Sequence, residues 1–176
     1  MQHLHANLNG IRRTFPELVS ALEESSGGRL TISSSREGSP TAKQEEHWIH
    51  SAYDPKKEAR TWAELQAKEW QTGELGVVLG AGLLYHVEAL FALKPTGTRL
   101  AVVISDLVAF KDALTARAMG PWFNAIEWIW GSTDDMATQL ASKSAPLRFF
   151  TNVPAARPYS AQHQELDVRL RRLLAT

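Results

Sequence analysis

Two short runs without a polar residue, Gly76-Val77-Val78-Leu79 and residues 100–104, stand out in the hydrophobic pattern of the chain. Each has the length and continuous apolar character of a strand buried on both faces. Between them Leu83, Val87, Leu90 and Phe91 fall at helical spacing, up to the Pro95-Thr96-Gly97 turn. Leu107, Phe110 and Leu114 mark the next helix, with Asp106 as its N-cap and Gly120 beyond its end. Strand, helix, strand, helix predicts a parallel sheet with right-handed crossovers. Residues 127–130 fit a third strand. Ser132, with Asp135 three residues on, caps a helix through Met136 and Leu140. Residues 147–153 fit a fourth strand. After Pro154 and Pro158, Ser160 is the expected cap of a closing helix. Leu166, Leu170, Leu173 and Leu174 lie on one face of it, and Arg169, Arg171 and Arg172 around the rest.

The first third of the chain is less regular. Thr14-Phe15-Pro16-Glu17 reads as a capping box before a helix through Leu18, Val19 and Leu22, which Ser25-Ser26-Gly27-Gly28 ends. Leu30 and Ile32 alternate with polar residues before a turn-rich stretch at 33–40, and Trp48-Ile49-His50 can return as a partner strand. Asp54 as N-cap and Pro55 at the first helical position open a helix through Ala59, Trp62, Leu65, Ala67 and Trp70 that stops at Gly73. The expected fold class is α/β: a Rossmann-like three-layer domain with a mostly parallel central sheet and a small N-terminal helix plus hairpin cap. Residues 1–47 form the cap, 48–153 the core and 154–176 the closing helix of one domain.

At 176 residues the chain can bury a core without disulfides or metals, and its 44% hydrophobic and 22% charged residues are those of a globular domain. No apolar run approaches the length of a membrane span, and the polar start Met1-Gln2-His3-Leu4-His5 lacks a secretory apolar segment, so a cytoplasmic protein without membrane insertion is expected. Nineteen basic residues balance nineteen acidic ones. That neutrality gives no overall attraction to nucleic acid.

The Gly80-Ala81-Gly82 turn after the first core strand is the strongest chemical signal. A strand that feeds a helix through two glycines lets backbone N–H groups approach an anionic or nucleoside ligand, and equally permits a tight turn alone. A dinucleotide fingerprint needs a third glycine where Tyr85 stands, which disfavours a pyrophosphate cofactor. Ser105-Asp106 ends the second strand, where Asp106 can bond ribose hydroxyls or cap the next helix. His86, in the first turn after the glycines, is expected to be held neutral and to act as a ligand donor, as a general base, or as a buried packing residue. His47, His50 and His86 lack the spacing and carboxylate partner of a zinc site, and no metal is expected. Trp122, Phe123, Trp128 and Trp130 pack a core or cover a sheet edge, with a homodimer contact as the other reading.

The run Ile49-His50-Ser51-Ala52-Tyr53-Asp54-Pro55-Lys56-Lys57-Glu58-Ala59, followed by Val78-Leu79-Gly80-Ala81-Gly82-Leu83-Leu84-Tyr85-His86, resembles the N-terminal domain of bacterial motility accessory factors. These are flagellin glycosyltransferases that attach nonulosonic, sialic-acid-like sugars. A similar Rossmann-like region occurs in archaeal hydroxymethylpterin diphosphokinases. The family patterns, His-Ser-x-Tyr-Asp-Pro with a following Glu-Ala pair and Gly-x-Gly-x-x-Tyr-His, are matched by His50, Ser51, Tyr53, Asp54, Pro55, Glu58, Ala59, Gly80, Gly82, Tyr85 and His86. The likeness spans about residues 46–153. The family tends to have an acidic residue where this chain has Ser105, and its members carry a sugar-transfer domain after the part represented here.

The resemblance implies a nucleotide or nucleotide-sugar ligand, a protein partner in flagellin glycosylation, and binding without sugar transfer. If the 50–54 loop folds over the carboxyl edge of the sheet, His50, Ser51 and Tyr53 come near Gly82 and His86, while Ser51 and Asp54 can instead simply cap a helix. The other readings are an S-adenosylmethionine-dependent methyltransferase, with Leu84 where that family has glycine, and a pterin-type diphosphokinase needing ATP and magnesium. Gly82→Val is expected to remove the ligand and leave the fold.

Overall fold

A computed structural model describes residues 2–175; Met1, the first residue of the polar start, and Thr176 lie outside the described residues. Helices α1 (Gln2–Ile11) and α2 (Pro16–Glu24) come first, then strands β1 (Thr31–Ser34), β2 (Pro40–Gln44) and β3 (His47–Trp48). The core unit follows as α3 (Pro55–Ala67), β4 (Leu75–Leu79), α4 (Tyr85–Leu93), β5 (Leu100–Val103), α5 (Leu107–Ala116), β6 (Glu127–Ile129), α6 (Thr133–Ala141) and β7 (Leu147–Thr151). The short α7 (Val153–Ala156) and a 3-10 turn lead into α8 (Ser160–Leu174).

The four core strands are all parallel, in the order β6-β5-β4-β7. Alternation along each strand divides the interior into two layers. Val78, Leu100, Val102, Trp128 and Phe150 face a core built with α1, α2, α4 and α5. Leu75, Val77, Ala101, Val103 and Ile129 face Met136, Ala137 and Leu140 of α6 and Leu166 and Leu170 of α8. This is the predicted three-layer Rossmann-like architecture. The chain builds β4, β5 and β6 outward on one side, then returns to place β7 on the other side of β4. The strand order therefore reverses between β4 and β7, and crevices in open α/β sheets form at such a point, beyond the carboxyl ends of the strands.

The N-terminal cap differs in detail from the expectation. Strand β3 pairs with β2, with Lys43 opposite Trp48, and β2 pairs antiparallel with β1. Strand β2, in residues 40–44 for which no element was expected, is thus the middle strand of a three-stranded sheet, and residues 35–39 of the stretch read as turn-rich join it to β1. Leu30, Ala42 and Ile49 seat this sheet against Leu83, Tyr85 and Ala155, beside the carboxyl edge of the parallel sheet. Helix α1 was not foreseen, although Leu4, Leu8 and Ile11 are buried in the main core.

Three capping expectations hold and two do not. Asp54 Oδ1 accepts from Lys57 N at 3.0 Å, Asp106 caps α5, and Ser132 and Asp135 form a complete capping box on α6. Thr14 is no cap: the chain stays turned after α1 through Phe15 N to Ile11 O, Phe15 packs on the core, and Phe15 precedes the helix that Pro16 opens. Ser160 is the first residue of α8, because the preceding 3-10 turn runs straight into the helix and its Arg157 carbonyl takes the Ser160 N–H. Trp70 lies past the end of α3 and packs edge-on against Phe150 at 5.2 Å, while Leu65, Leu173 and Leu174 are exposed. Ser132→Ala removes one arm of the box on α6. It is expected to cost about 1 kcal/mol, a fall of a few degrees in the thermal midpoint of a domain this size, measurable by circular dichroism.

Of the aromatic cluster, Phe123 and Trp128 are core residues, tilted against each other at 5.1 Å, with Trp122 edge-on to Phe123. Among the described residues, no helix is long and apolar enough to cross a membrane.

Candidate functional site at the sheet switch point

Beyond the carboxyl ends of β4 and β5 lies a narrow cleft whose floor is Gly80, Ala81 and Gly82 and whose walls include Ile104, Ser105, Asp106, Gln44 and Tyr159. Its free space is about 30 Å3, close to one water molecule's share of liquid volume. A hydrogen-bonded polar chain runs through Gln44, Tyr159 and Asp106 of its lining. Gln44 Nε2 donates to the Tyr159 hydroxyl at 2.9 Å, that hydroxyl donates to Asp106 Oδ2 at 2.7 Å, and Arg29 Nε donates to the same oxygen at 2.8 Å. Arg29 is held there because its own N–H and that of Leu30 bond Asp112 at 2.7 and 2.8 Å.

Asp106 is both cap and site residue. Its Oδ1 takes the Val108 and Ala109 N–H groups while Oδ2 faces Tyr159 and Arg29. Burial alone would raise its carboxyl, but the bonds from Tyr159, Ala109 and Arg29 outweigh it and hold the group below the usual aspartate range. Burial and the ionised Asp106 push the Tyr159 hydroxyl up, so it stays protonated and donates. Ser105 Oγ pairs with His163 Nε2 at 2.8 Å, and burial lowers the His163 ring.

The two halves of the sequence pattern do meet, with buried structural contacts. His50 is fully enclosed and its Nε2 accepts the Leu83 N–H at 2.9 Å, which braces the glycine turn and puts the ring proton on Nδ1. Its ring lies 5.4 Å from both Tyr85, edge-on, and His86. Burial, then the neighbouring His86 and Arg117, lower the His50 pKa well below its ordinary value. His86 packs against Trp62 at 4.9 Å, and burial takes it down to about 4. The expected neutrality of His86 is therefore present, with burial as its cause. Tyr85 donates to the Pro40 carbonyl at 2.7 Å beneath the Arg117 guanidinium, which also ion-pairs with Glu88. Neither Tyr85 nor His86 lines the cleft.

Ser51 and Asp54 order the turn into α3: Ser51 Oγ takes the Tyr53 and Asp54 N–H groups at 3.0 and 3.1 Å. Tyr53 projects outward on a separate groove. Gly80, Gly82, Ser105 and Asp106 are thus the predicted site residues that share the cleft.

The glycines themselves are fixed by this chain's own packing. Gly80 has φ 90° and a Cβ there would stand 2.5 Å from the Asn152 carbonyl oxygen; Gly82 has φ 53° and a Cβ would stand 2.6 Å from His50 Nε2. Gly82→Val would disturb the His50 brace and so disturb folding, which corrects the expectation that it would remove only a ligand. Asn152, not anticipated from sequence, ties β7 across the switch point, with its N–H on Leu79 O and its side-chain amide on Gly80 O at 3.2 Å. Gln44, Arg29, Tyr159 and His163 were also missed; they lie far apart along the chain and no local spacing marks them.

Fold and cleft together define a Rossmann-like α/β domain with a switch-point crevice. No protein-family model, curated protein or solved structure matches the chain. The likeness to the motility accessory factors rests on the two motifs alone.

Proposed function

We propose that this domain binds a nucleoside-bearing ligand, a nucleotide or nucleotide-sugar, without turning it over. The nucleoside would lie over Gly80-Ala81-Gly82 with its ribose hydroxyls on Asp106. The observation that carries this reading is an ionised Asp106 oxygen facing the cleft at the end of β5, already accepting a hydroxyl, that of Tyr159. A ribose hydroxyl offers the same donor to the same acceptor. The small free space requires Tyr159 and Gln44 to move aside as the ligand enters. Of the side chains on the cleft wall, Ser105 is hydrogen-bonded to an imidazole, that of His163, and both histidines behind the turn are buried. The motif resemblance adds that the sugar is of the nonulosonic kind and that a flagellin-glycosylation protein is the partner, in the cytoplasm.

A second reading has one observation in its favour. Leu84 adopts φ 71°, a left-handed conformation at the position where S-adenosylmethionine enzymes carry glycine. Among the described residues no three His, Asp or Glu side chains are grouped to hold a metal, so a magnesium-dependent diphosphokinase gains no support.

Thermal shift with CMP, a CMP-sugar, S-adenosylhomocysteine and ATP with magnesium separates these readings, since a ligand of the native state raises its stability by mass action. The expected result is stabilisation by CMP or its sugar conjugate. It should be greater for Tyr159→Phe, which lacks the competing hydroxyl, and absent in Asp106→Asn. Stabilisation by S-adenosylhomocysteine alone, or by none of the four, overturns the proposal.

A further inference from the structure

At the turn into α3 lies an open groove of about 340 Å3, lined by Trp48, Ser51, Tyr53, Glu58 and His50 itself. Three observations there have no explanation in the folding roles described above. Because His50 Nε2 is committed to the Leu83 N–H, its Nδ1 carries a proton, and that buried donor has no hydrogen-bond partner. Glu58 Oε1 lies 3.9 Å away, engaged with the Ser51 N–H. A buried donor without a partner costs about 1–3 kcal/mol, so a ligand atom that reaches it gains correspondingly. Burial raises the Glu58 carboxyl above the ordinary range, the bond from Ser51 notwithstanding. Finally, two large aromatic rings of the groove are partly exposed, Trp48 to 43% and Tyr53 to 65%, each with one face under a cation, Lys43 at 4.6 Å and Arg36 at 5.3 Å respectively.

We propose that this groove is a second binding site, for a neutral polyhydroxylated ring of the monosaccharide class. One ligand hydroxyl would sit between the two groups, accepting from His50 Nδ1–H and donating to a Glu58 carboxylate oxygen. A hydroxyl is both donor and acceptor, and it meets both demands with one atom. An anion would be repelled by Glu58, and a cation gains nothing from a neutral N–H donor. The apolar C–H face of the ring would pack on the exposed aromatics, which offer a flat surface with little rotamer entropy to lose. The groove volume lies in the range of small-molecule sites. This site does not depend on the nucleoside reading of the cleft.

The test is a titration of the full chain with methyl α-glucoside and with N-acetylglucosamine, following the indole N–H signals of its six tryptophans by NMR. Trp48→Phe assigns the signal of interest by its loss. The expected result is a saturable shift of the Trp48 signal with a dissociation constant of roughly 1–10 mM for at least one probe. Tyr53→Ala, at an exposed position, should weaken binding about tenfold with an unchanged thermal midpoint, a loss of about 1.4 kcal/mol. Glu58→Gln keeps an acceptor for Ser51 and should weaken binding several-fold. A titration without saturation for both probes, or one unaltered in Tyr53→Ala, overturns the proposal. A nucleotide that stabilises the protein while both sugars fail sinks this site and leaves the cleft standing, and the reverse outcome sinks only the cleft.

Discussion

Acidification from pH about 7 to about 4 is expected to weaken the fold by about 3 kcal/mol through His86 alone. The unfolded chain protonates this ring near its ordinary 6.5, the folded chain only near 4, because the ring is buried. Between those values the unfolded state holds more protons. Stability is therefore full above about pH 6.5, falls as the pH is lowered, and stops falling on this account below about 4. His50 acts in the same direction, since burial lowers it as well. His50 braces the glycine turn and His86 packs against His50, so acid acts behind the floor of the cleft. Urea midpoints measured every half unit between pH 7.5 and 4.5 give the profile, and His86→Leu, similar in volume and unable to titrate, should flatten it. Parallel profiles for the two proteins would show that His86 is not the group responsible.

Gly80→Ala is expected to cost about 3 kcal/mol or more, among the larger losses a single substitution produces here. Two effects combine. An L side chain at φ 90° is strained by about 1–2 kcal/mol, and the added Cβ would meet the backbone oxygen of Asn152 at 2.5 Å and the nitrogen of Ala156 at 2.9 Å. Neither contact is a flexible side-chain end, so relief requires α7 to move. Gly73→Ala separates the effects, because Gly73 has φ 92° with nothing within 4 Å of its added Cβ. It should cost only the strain, about 1–2 kcal/mol. Chemical denaturation of both variants gives the comparison. Equal losses would mean that the close approach of β4 and β7 tolerates a methyl group.

The parallel sheet was legible because each buried strand is a short apolar run and each cap is a local interaction within three residues: Asp54, Asp106 and Ser132 can be recognised without knowing where the chain goes next. Helix α1 was overlooked because Leu4, Leu8 and Ile11 are few among polar neighbours, and only the core they meet makes them a face. Strand β2 is polar in sequence, and its pairing with β1 and β3 is decided by the turns on either side. The candidate site was read less well. That Gly80, Gly82, Ser105 and Asp106 share a cleft follows from the parallel pairing of β4 with β5, in keeping with the strand-helix-strand pattern. Whether His50 touches a ligand or braces a turn depends on which atom lies 2.9 Å from its Nε2, 33 positions along the chain. No motif carries that information.

The tie between Asn152 and Gly80 joins residues 72 positions apart. During synthesis, β4 and the glycine turn leave the ribosome long before β7 exists to lie beside them. Until residues 147–152 arrive, one edge of β4 has no neighbour and the Gly80 carbonyl lacks its amide donor. Closure of that long loop is entropically slow relative to local helix formation. The crevice is consequently among the last features to take shape, and a nascent chain stalled before residue 147 would carry both sequence motifs and no completed site between them.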